Sequence, residues 1–263
     1  MASPGTSAGQ QPSGLTGDGD LVARQKRAAA EAAADMIRDG MRVGLGTGST
    51  VAHLLDALAE RELSGVRFVA TSPASDRAAR ALGLTVEAFD GADELDLVID
   101  GADQIDPAGW LIKGGGGAHT REKIVAAAGR RFVVIASAEK AVQRLAPPVP
   151  LELVDFGVHS TLTALAHARL RARPPEGAPG TAVEQRADPH PAPQAADRVW
   201  RSPDGGLIAD YLGAVGDLRE LSARLSATPG VVEHGLFAPE MVSVILIAGE
   251  SGVERRRGAK PDA

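Results

Sequence analysis

Four ionisable residues stand at spacings that could serve proton-transfer chemistry. Asp100 and Asp103 lie three apart in the stretch VIDGADQID. Lys113 follows Asp100 by thirteen residues and precedes Glu122 by nine. A pair of carboxylates of this kind can move protons or bind sugar hydroxyls. The alternative is local, because aspartates beside glycine often bond their own backbone in an Asx-turn.

Four consecutive glycines, residues 114 to 117 (the glycine run), separate Lys113 from an Arg-Glu-Lys triplet at 121 to 123. Such a run is costly to order, because glycine loses more backbone freedom on folding than any other residue. It is useful where backbone amides must approach a ligand without a Cβ in the way, forming a nest for an anion. The charged residues on either side of the run have simpler interpretations. Glu122 could be only a favourable charge at a helix start, and Lys113 only a solvated residue.

A second glycine-rich stretch, GLGTGST at residues 44 to 50, lies between a strand-like and a helix-like segment. Its backbone N–H groups, the helix N-terminus and the hydroxyls of Thr47, Ser49 and Thr50 favour phosphate binding. It is not a P-loop, because no lysine precedes the Ser/Thr, and its glycine spacing does not fit the dinucleotide fingerprint. A tight turn with a Ser or Thr helix cap is the alternative. In a third loop, TSPAS at 71 to 75, a cap by Ser75 is the simpler interpretation.

The elements that must position these residues follow an alternating pattern. MRVGLG, VRFVAT, LDLVID and RRFVVIAS are strand-like, and Ala-rich or amphipathic helical segments separate them. Strands that alternate with helices predict an α/β fold, a parallel sheet with helices on both faces. Ligands then bind in loops at the carboxyl ends of the strands, which is where all the loops above fall.

The pattern of strand-like and helix-like segments changes near residue 150, which predicts a second, smaller α+β domain over 150–235. It includes a Pro-rich segment, 173–197, expected to be an exposed loop. The α/β domain should comprise 21–149 and 236–253, with the last strand returning to the main sheet. Residues 1–20 are expected to be a disordered tail, not a signal peptide, and 254–263 a polar tail.

Composition excludes several function classes. The net charge of -6 argues against nucleic-acid binding, although a local positive pocket for a small anion is compatible with it. The absence of cysteine excludes disulfides and thiolate catalysis, and fits a reducing cytoplasm. The six histidines show no metal-ligand spacing, and no apolar run is long enough to span a membrane.

Taken together, GLGTGST, TSPAS, VIDGADQID, IKGGGGAHTREKIVA and TPGVVEHGLF resemble the type A ribose-5-phosphate isomerase family. The resemblance runs from about residue 21 to 253. It implies a Rossmann-like α/β domain plus a small α+β domain, and a homodimer or homotetramer without metal or organic cofactor. The implied activity interconverts ribose 5-phosphate and ribulose 5-phosphate in the non-oxidative pentose phosphate pathway, through a cis-enediolate.

The resemblance also implies roles for individual residues. Glu122 would be the general base, while Asp100, Asp103 and Lys113 would help to open the sugar ring and hold the reacting oxygens. Phosphate would bind in the GLGTGST loop. The substrate-binding positions that the resemblance implies are Thr47, Gly48, Ser49, Thr50, Gly101, Ala102, Gly114, Gly115, Gly116, Lys140 and Lys26.

Several positions depart from the family's usual pattern; among them, Gln104 replaces a usual Glu, and His119 a common Leu. Gln104 could alter the charge near the two aspartates, and the sequence assigns no role to His119. Two alternatives stay open. One is a sugar-phosphate-sensing domain of the DeoR effector type, which shares the strand–glycine loop–helix start. The other is an inactive isomerase homologue that only binds its ligand.

Overall fold

The computed structural model describes residues 16–89, 94–172 and 199–260. In chain order the helices are α1 (Thr16–Ala34), α2 (Ser49–Ala59), α3 (Pro73–Ala81), α4 (His119–Ala128), α5 (Val158–Leu165) and α6 (Leu218–Ala227). The strands are β1 (Arg42–Leu45), β2 (Arg67–Ala70), β3 (Leu95–Gly101), β4 (Gln104–Ile105), β5 (Leu111–Ile112), β6 (Gly129–Ser137), β7 (Val149–Leu153), β8 (Ala168–Leu170), β9 (Leu207–Tyr211), β10 (Val231–His234), β11 (Leu236–Phe237), β12 (Val244–Gly249) and β13 (Gly252–Arg257).

Six strands form the main sheet in the order β13-β12-β6-β3-β1-β2. Every neighbouring pair is parallel except β12 and β13, which are antiparallel. From β1 the chain passes outward to β2 and then returns to β3 on the other side of β1. The carboxyl ends of β1 and β3 therefore flank a switch point, the place where open α/β sheets bind ligands.

Both faces of the main sheet are covered by apolar packing. In β3 successive side chains alternate between the faces, as the pleat requires. Leu97 and Ile99 pack in the cluster that includes α1, α2 and α3. Val98 packs in the other cluster, with Val125 of α4 and Phe132 of β6. The predicted α/β class, with helices on both faces of a mostly parallel sheet, is confirmed.

A separate small domain has an antiparallel four-stranded sheet in the order β10-β7-β9-β8. This sheet, α5 and α6 share their own core, which includes Leu151, Leu221 and Leu225. A three-stranded sheet, β11-β5-β4, lies beside it. β7 begins at Val149 and β10 ends at His234, close to the expected limits at residues 150 and 235. The predicted Pro-rich loop, 173–197, lies outside the described residues.

The two ends differ from expectation. α1 begins at Thr16, within the stretch expected to be a disordered tail. Glycines at 17 and 19 fall in its first turn, where backbone N–H groups have no helical partner in any case. At the other end, 254–257 are not a frayed tail but part of β13, which pairs with β12 from Val244 to Gly249. Backbone hydrogen bonds hold this mostly exposed strand, so side-chain polarity did not reveal it.

Candidate active site

A buried lysine bridges two buried carboxylates at the switch point. Lys113 follows β5, Asp100 is the penultimate residue of β3, and Glu122 lies in the first turn of α4. The Lys113 Nζ atom is 2.8 Å from Asp100 Oδ2 and 3.1 Å from Glu122 Oε2. It also donates to the carbonyl oxygen of Gly101 at 2.6 Å. Each of the three side chains is at most 3% exposed, so the cluster is shielded from bulk solvent.

The electrostatics of this cluster favour a carboxyl group that titrates near neutral pH. Burial first, and then the charge of Asp100, raise the pKa of Glu122 to about 8, although Lys113 opposes the rise. Burial also raises the pKa of Asp100 against the opposing effect of Lys113. Burial alone would lower the pKa of Lys113, but the two carboxylates raise it above its ordinary value. A base with a pKa near the working pH is suited to both taking and returning a proton.

The second aspartate of the VIDGADQID stretch orders the glycine run. Asp103 Oδ2 accepts a hydrogen bond from the Gly115 N–H at 2.8 Å. A Cβ at Gly115 would lie 2.9 Å from the Asp103 carboxylate. Gly114 has φ +98°, and a Cβ there would lie 2.6 Å from the His119 ring. Asp103 therefore fixes the run through its backbone, and the approach of Asp103 and His119 requires glycine at both positions.

The first turn of α4 is fastened to the small domain by the residues on either side of Glu122. Thr120 donates a hydrogen bond to Glu152 of β7. Arg121 makes a two-pronged ion pair with Asp204, at 2.6 and 2.7 Å. Lys123 pairs with Glu233 of β10 at 2.7 Å, and also donates to the carbonyl oxygen of His234 at 2.6 Å.

Three neighbours of Glu122 thus hold the helix from the side of the small domain. The Glu122 carboxylate instead points to Lys113 at the switch point. Because its neighbours are fixed by charged hydrogen bonds, α4 presents this carboxylate at a set position.

The GLGTGST loop has an open helix N-terminus. The N-cap of α2 is Gly48, with φ 114°, and no side chain caps the helix. The proposed alternative of a Ser or Thr cap is therefore wrong for this loop. Ser49 accepts a hydrogen bond from Lys26 Nζ at 3.0 Å, which brings a cation from α1 to the loop. Free N–H groups, the helix dipole, the hydroxyl of Thr50 in the first turn and an adjacent lysine form a suitable anion site.

The same loop is packed directly against Asp100. Asp100 Oδ1 accepts hydrogen bonds from the N–H groups of Thr47 at 3.1 Å and Gly101 at 2.7 Å. A Cβ at Gly46 would lie 1.8 Å from that oxygen. Across the cleft, a Cβ at Gly116 would lie 3.5 Å from Thr47 Cγ2. The loop, the aspartate and the glycine run are therefore contiguous.

Two predicted positions lie at the margin of this assembly. Ala102 is partly buried and packs against the apolar cluster that contains Val125. Lys140 ends a short 3₁₀-helix after β6, and among the described residues its ammonium contacts Glu139 at 3.4 Å. The structure does not bring Lys140 into contact with the Asp100 cluster. It does place the turn beside α1, since the Ala138 N–H donates to Gln25 at 3.3 Å.

The contacts of Gln104 bear on whether it alters the charge near the two aspartates. Its side-chain amide donates to the carbonyl oxygen of Ala146 and accepts from the Ala146 N–H, both at 2.8 Å. A glutamate could accept one of these bonds but, when ionised, could not donate the other. Gln104 is thus a structural link to the chain after β6.

His119 is fully buried beneath Gly114. Burial and the neighbouring charge of Lys123 lower its pKa to about 3, so the ring is neutral. The Glu233 backbone lies close, but among the described residues neither ring nitrogen has a partner with hydrogen-bond geometry. Its role is to fill space under the turn.

Sequence reasoning missed the helix cap of the TSPAS loop and one arginine. Ser72, not Ser75, caps α3, and it accepts from the Ser75 N–H at 3.1 Å. The Ser75 hydroxyl instead donates to the Gly46 carbonyl oxygen at 2.7 Å. Arg171, just after β8, reaches the carbonyl oxygens of the glycine run from the small domain. No local motif surrounds Arg171, so the sequence offered no signal for this contact.

In the part of the chain that the structure describes, no cluster of three or more His, Asp or Glu side chains could hold a metal ion. Within the same ranges, every helix is too short or too polar to cross a membrane.

Comparison with known proteins shows the family of the chain. The sequence model of the ribose 5-phosphate isomerase A (phosphoriboisomerase A) family matches residues 67–252. A Nitrobacter hamburgensis protein named ribose-5-phosphate isomerase A is 43% identical over 239 residues, which are 88% of this chain and 97% of that protein. A Methylorubrum extorquens protein of the same name is 45% identical over 229 residues, covering 86% and 92% of the two chains.

Solved structures give the same result. Ribose 5-phosphate isomerase A of Methanocaldococcus jannaschii superposes with a TM-score of 0.76 at 30% identity, covering 89% of this chain and 98% of that one. A D-ribose-5-phosphate isomerase in complex with phospho-erythronic acid gives a TM-score of 0.77 at 28% identity, covering 90% and 99%. On its sequence and its fold, the chain belongs to the ribose 5-phosphate isomerase A family.

Proposed function

We propose that this protein interconverts D-ribose 5-phosphate and D-ribulose 5-phosphate through a cis-enediolate, with Glu122 as the general base. The observation that carries the proposal is the buried cluster in which Glu122 lies 3.1 Å from Lys113, beside Asp100. An aldose–ketose interconversion needs one base that moves a proton between C2 and C1 on one face of the substrate. Glu122, with a pKa raised to about 8, is suited to that exchange.

The substrate phosphate is proposed to bind at the GLGTGST loop. The uncapped N-terminus of α2 and the Lys26–Ser49 contact support this assignment. Binding of a group remote from the reacting carbons supplies energy that orients them beside the base. Lys140 is proposed as a further substrate contact, since its turn lies against α1 one residue from Lys26. A relative solved with phospho-erythronic acid agrees with a phosphorylated ligand.

Ring opening precedes the proton transfer, because ribose 5-phosphate is mainly cyclic and its C1 must become an aldehyde. We assign this step to Asp100, Asp103 and Lys113, which can accept a hydroxyl proton and donate one to the ring oxygen. The charged contact between Lys113 and Asp100 fixes the position of both groups.

The enediolate then carries negative charge on oxygen. Lys113 and the backbone N–H groups of the glycine run are the proposed stabilisers. In this site they are positioned in advance and partly shielded from water, where such donors are most effective. Removal of one donor of this kind typically lowers the rate by about 10²–10³-fold.

The test is direct turnover of ribose 5-phosphate, with formation of ribulose 5-phosphate followed by absorbance. Glu122→Gln keeps the shape but not the base, and should lose turnover while it still binds substrate. Glu87→Gln is the control, because Glu87 pairs with Arg42 at the amino end of the sheet and should leave turnover unchanged. Ligand binding without turnover by the unmodified protein would favour a DeoR-type sensor or an inactive homologue. Substantial activity of Glu122→Gln would refute the assignment of the base.

We further propose that the protein works as a homodimer or homotetramer. Phe156 is 86% exposed, and Val154 and Val232 are each 47% exposed at the edge where β7 meets β10. Exposed apolar side chains grouped in this way favour self-association. Light scattering of the purified protein measures the mass directly. The proposed substrate is a metabolite of the cell interior, so we place the reaction in the cytoplasm.

A further inference from the structure

We infer that Arg171 is a positioning residue for the proposed reaction, which orients the amides of the glycine run from the side of the small domain. The inference rests on the proposed function, because it concerns the amides that would face the enediolate. Its basis is geometric. Arg171 Nη1 donates to the carbonyl oxygens of Gly115 at 3.1 Å and of Gly114 at 3.4 Å.

The guanidinium is itself held from two sides. Asp210 of β9 accepts from Arg171 Nε at 2.8 Å and also from Nη2, a two-pronged pair. The guanidinium carbon lies 5.4 Å from the centre of the Trp200 ring, a cation–π distance. Arg171 is 8% exposed. A buried arginine with three kinds of partner has a single orientation, which a flexible lysine could not reproduce.

The two contacted carbonyl groups belong to the peptide units that supply the amides. In a trans peptide the C=O and the following N–H point to opposite sides of one plane. The unit that joins Gly114 to Gly115 therefore has Arg171 and the Gly117 N–H, at 3.0 Å, on its oxygen and Asp103 on its N–H, at 2.8 Å. The next unit has Arg171 on the Gly115 oxygen and directs the Gly116 N–H away from the guanidinium.

The Gly116 N–H has no acceptor among the described residues, and Gly116 itself is exposed. A Cβ at Gly116 would lie 3.5 Å from Thr47, so this amide lies beside the GLGTGST loop. The unpaired Gly116 N–H belongs to a peptide unit whose oxygen is held by Arg171, so this N–H can donate to a substrate oxygen. The positive charge on the carbonyl oxygen also polarises the peptide and strengthens its N–H as a donor.

The role predicts a specific kinetic pattern. The GLGTGST loop, where the phosphate is proposed to bind, does not depend on Arg171. Loss of Arg171 should therefore affect kcat far more than KM. A displacement of about 1 Å in reacting groups can lower the rate by about 10²-fold. We expect Arg171→Met to lower kcat by about 10–100-fold, with KM within about threefold of the unmodified protein. The kcat of Arg171→Lys should lie between that of Arg171→Met and that of the unmodified protein, because an ammonium cannot reach Asp210 and both carbonyl oxygens together.

The control is Arg42→Met, which removes another partly buried arginine–carboxylate pair, with Glu87, at the opposite end of β1. It should keep kcat within about twofold, even where it lowers the melting temperature. If Arg171→Met does not fold, Arg171→Lys and Asp210→Asn carry the test. A folded Arg171→Lys or Arg171→Met with unchanged kcat, beside an active unmodified protein, would overturn the positioning role.

A second readout does not depend on turnover. The amide ¹H–¹⁵N resonances of Gly115 and Gly116 should shift in Arg171→Met and stay in place in Arg42→Met. Unchanged glycine resonances would overturn the inference. Absence of turnover in the unmodified protein would instead refute the proposed function, and the resonances would still decide whether Arg171 orients the run.

Discussion

Replacement of Lys113 by methionine is the sharpest perturbation of the charged cluster. The change keeps the volume of the side chain but removes the charge that lies 2.8 Å from Asp100 and 3.1 Å from Glu122. Both carboxylates would stay buried without a cation. Breaking a buried ion pair by removing one partner costs about 3–5 kcal/mol. For a chain of this size the loss corresponds to a fall in Tm of about 6–20 °C.

The loss of stability in Lys113→Met should grow as pH rises. Lys113 lowers the pKa of both carboxyl groups, so its removal raises both further. The folded variant then holds protons that the unfolded chain, with its ordinary carboxyl pKa, has released. Its stability therefore falls as pH rises from about 5 to 8, by up to about 1.4 kcal/mol per pH unit for each bound proton. Glu122 of the unmodified protein is itself protonated below about pH 8, so the Tm gap should widen from pH 5 to pH 8 through Asp100 and widen further above pH 8 through Glu122.

Thermal unfolding followed by circular dichroism at pH 5, 6, 7 and 8 measures this gap. Arg130→Met is the control, because the Arg130–Glu94 pair is as short, 2.7 Å, but each side chain is more than half exposed. It should give no measurable shift in Tm. In the same preparations Lys113→Met should lower kcat by about 10²–10³-fold. A variant as stable as the unmodified protein at pH 8, or a gap that does not narrow toward pH 5, would refute the buried-charge argument.

Four further measurements test separate groups. With ribose 5-phosphate as substrate, kcat/KM should rise with pH and level off above about 8, as the raised pKa of Glu122 requires; a flat profile from pH 6 to 9 would contradict it. Gly46→Ala should abolish turnover in a folded protein, since its Cβ would displace Asp100; full activity would mean that the loop yields without cost. His119→Leu should raise stability by about 1 kcal/mol at unchanged kcat, because it removes buried nitrogen atoms without partners; a fall in Tm would show that the ring is bonded. Gln104→Glu should lower Tm, seen by calorimetry, without changing the pH profile, because its partners are backbone groups remote from the base; a displaced profile would reopen its electrostatic role.

Local patterns were sufficient to predict the parallel strands of the main sheet and the edge at which the glycine-rich loops lie. β1, β3 and β6 each coincide with an apolar segment followed by a glycine, acidic or serine-rich turn, and their alternation with helices predicted that they run parallel. Since the carboxyl ends of parallel strands meet at one edge, Asp100 and the GLGTGST loop had to lie close together. The resemblance, not the spacing, gave Glu122 its predicted role.

Contacts between distant segments could not be predicted in this way. Arg171 and Gly115 are 56 residues apart, and Lys123 and Glu233 are 110 apart. Nothing in the local composition of either partner specifies such a pair. The helix cap at Ser72 was assigned to the wrong serine of the TSPAS loop, because both serines satisfy the same preference and only the backbone conformation distinguishes them.

The strand β13 has a consequence for the solution behaviour of the chain. It covers β12, whose side chains from Val244 to Ala248 are buried, and it presents its own charged side chains, Glu254 to Arg257, outward. A chain cut at residue 253, where polar composition suggests that the fold ends, would leave the outer backbone groups of β12 unpaired beside a strongly apolar strand. Such edges template the addition of strands from other molecules. We therefore expect the charged β13 to protect the chain against aggregation.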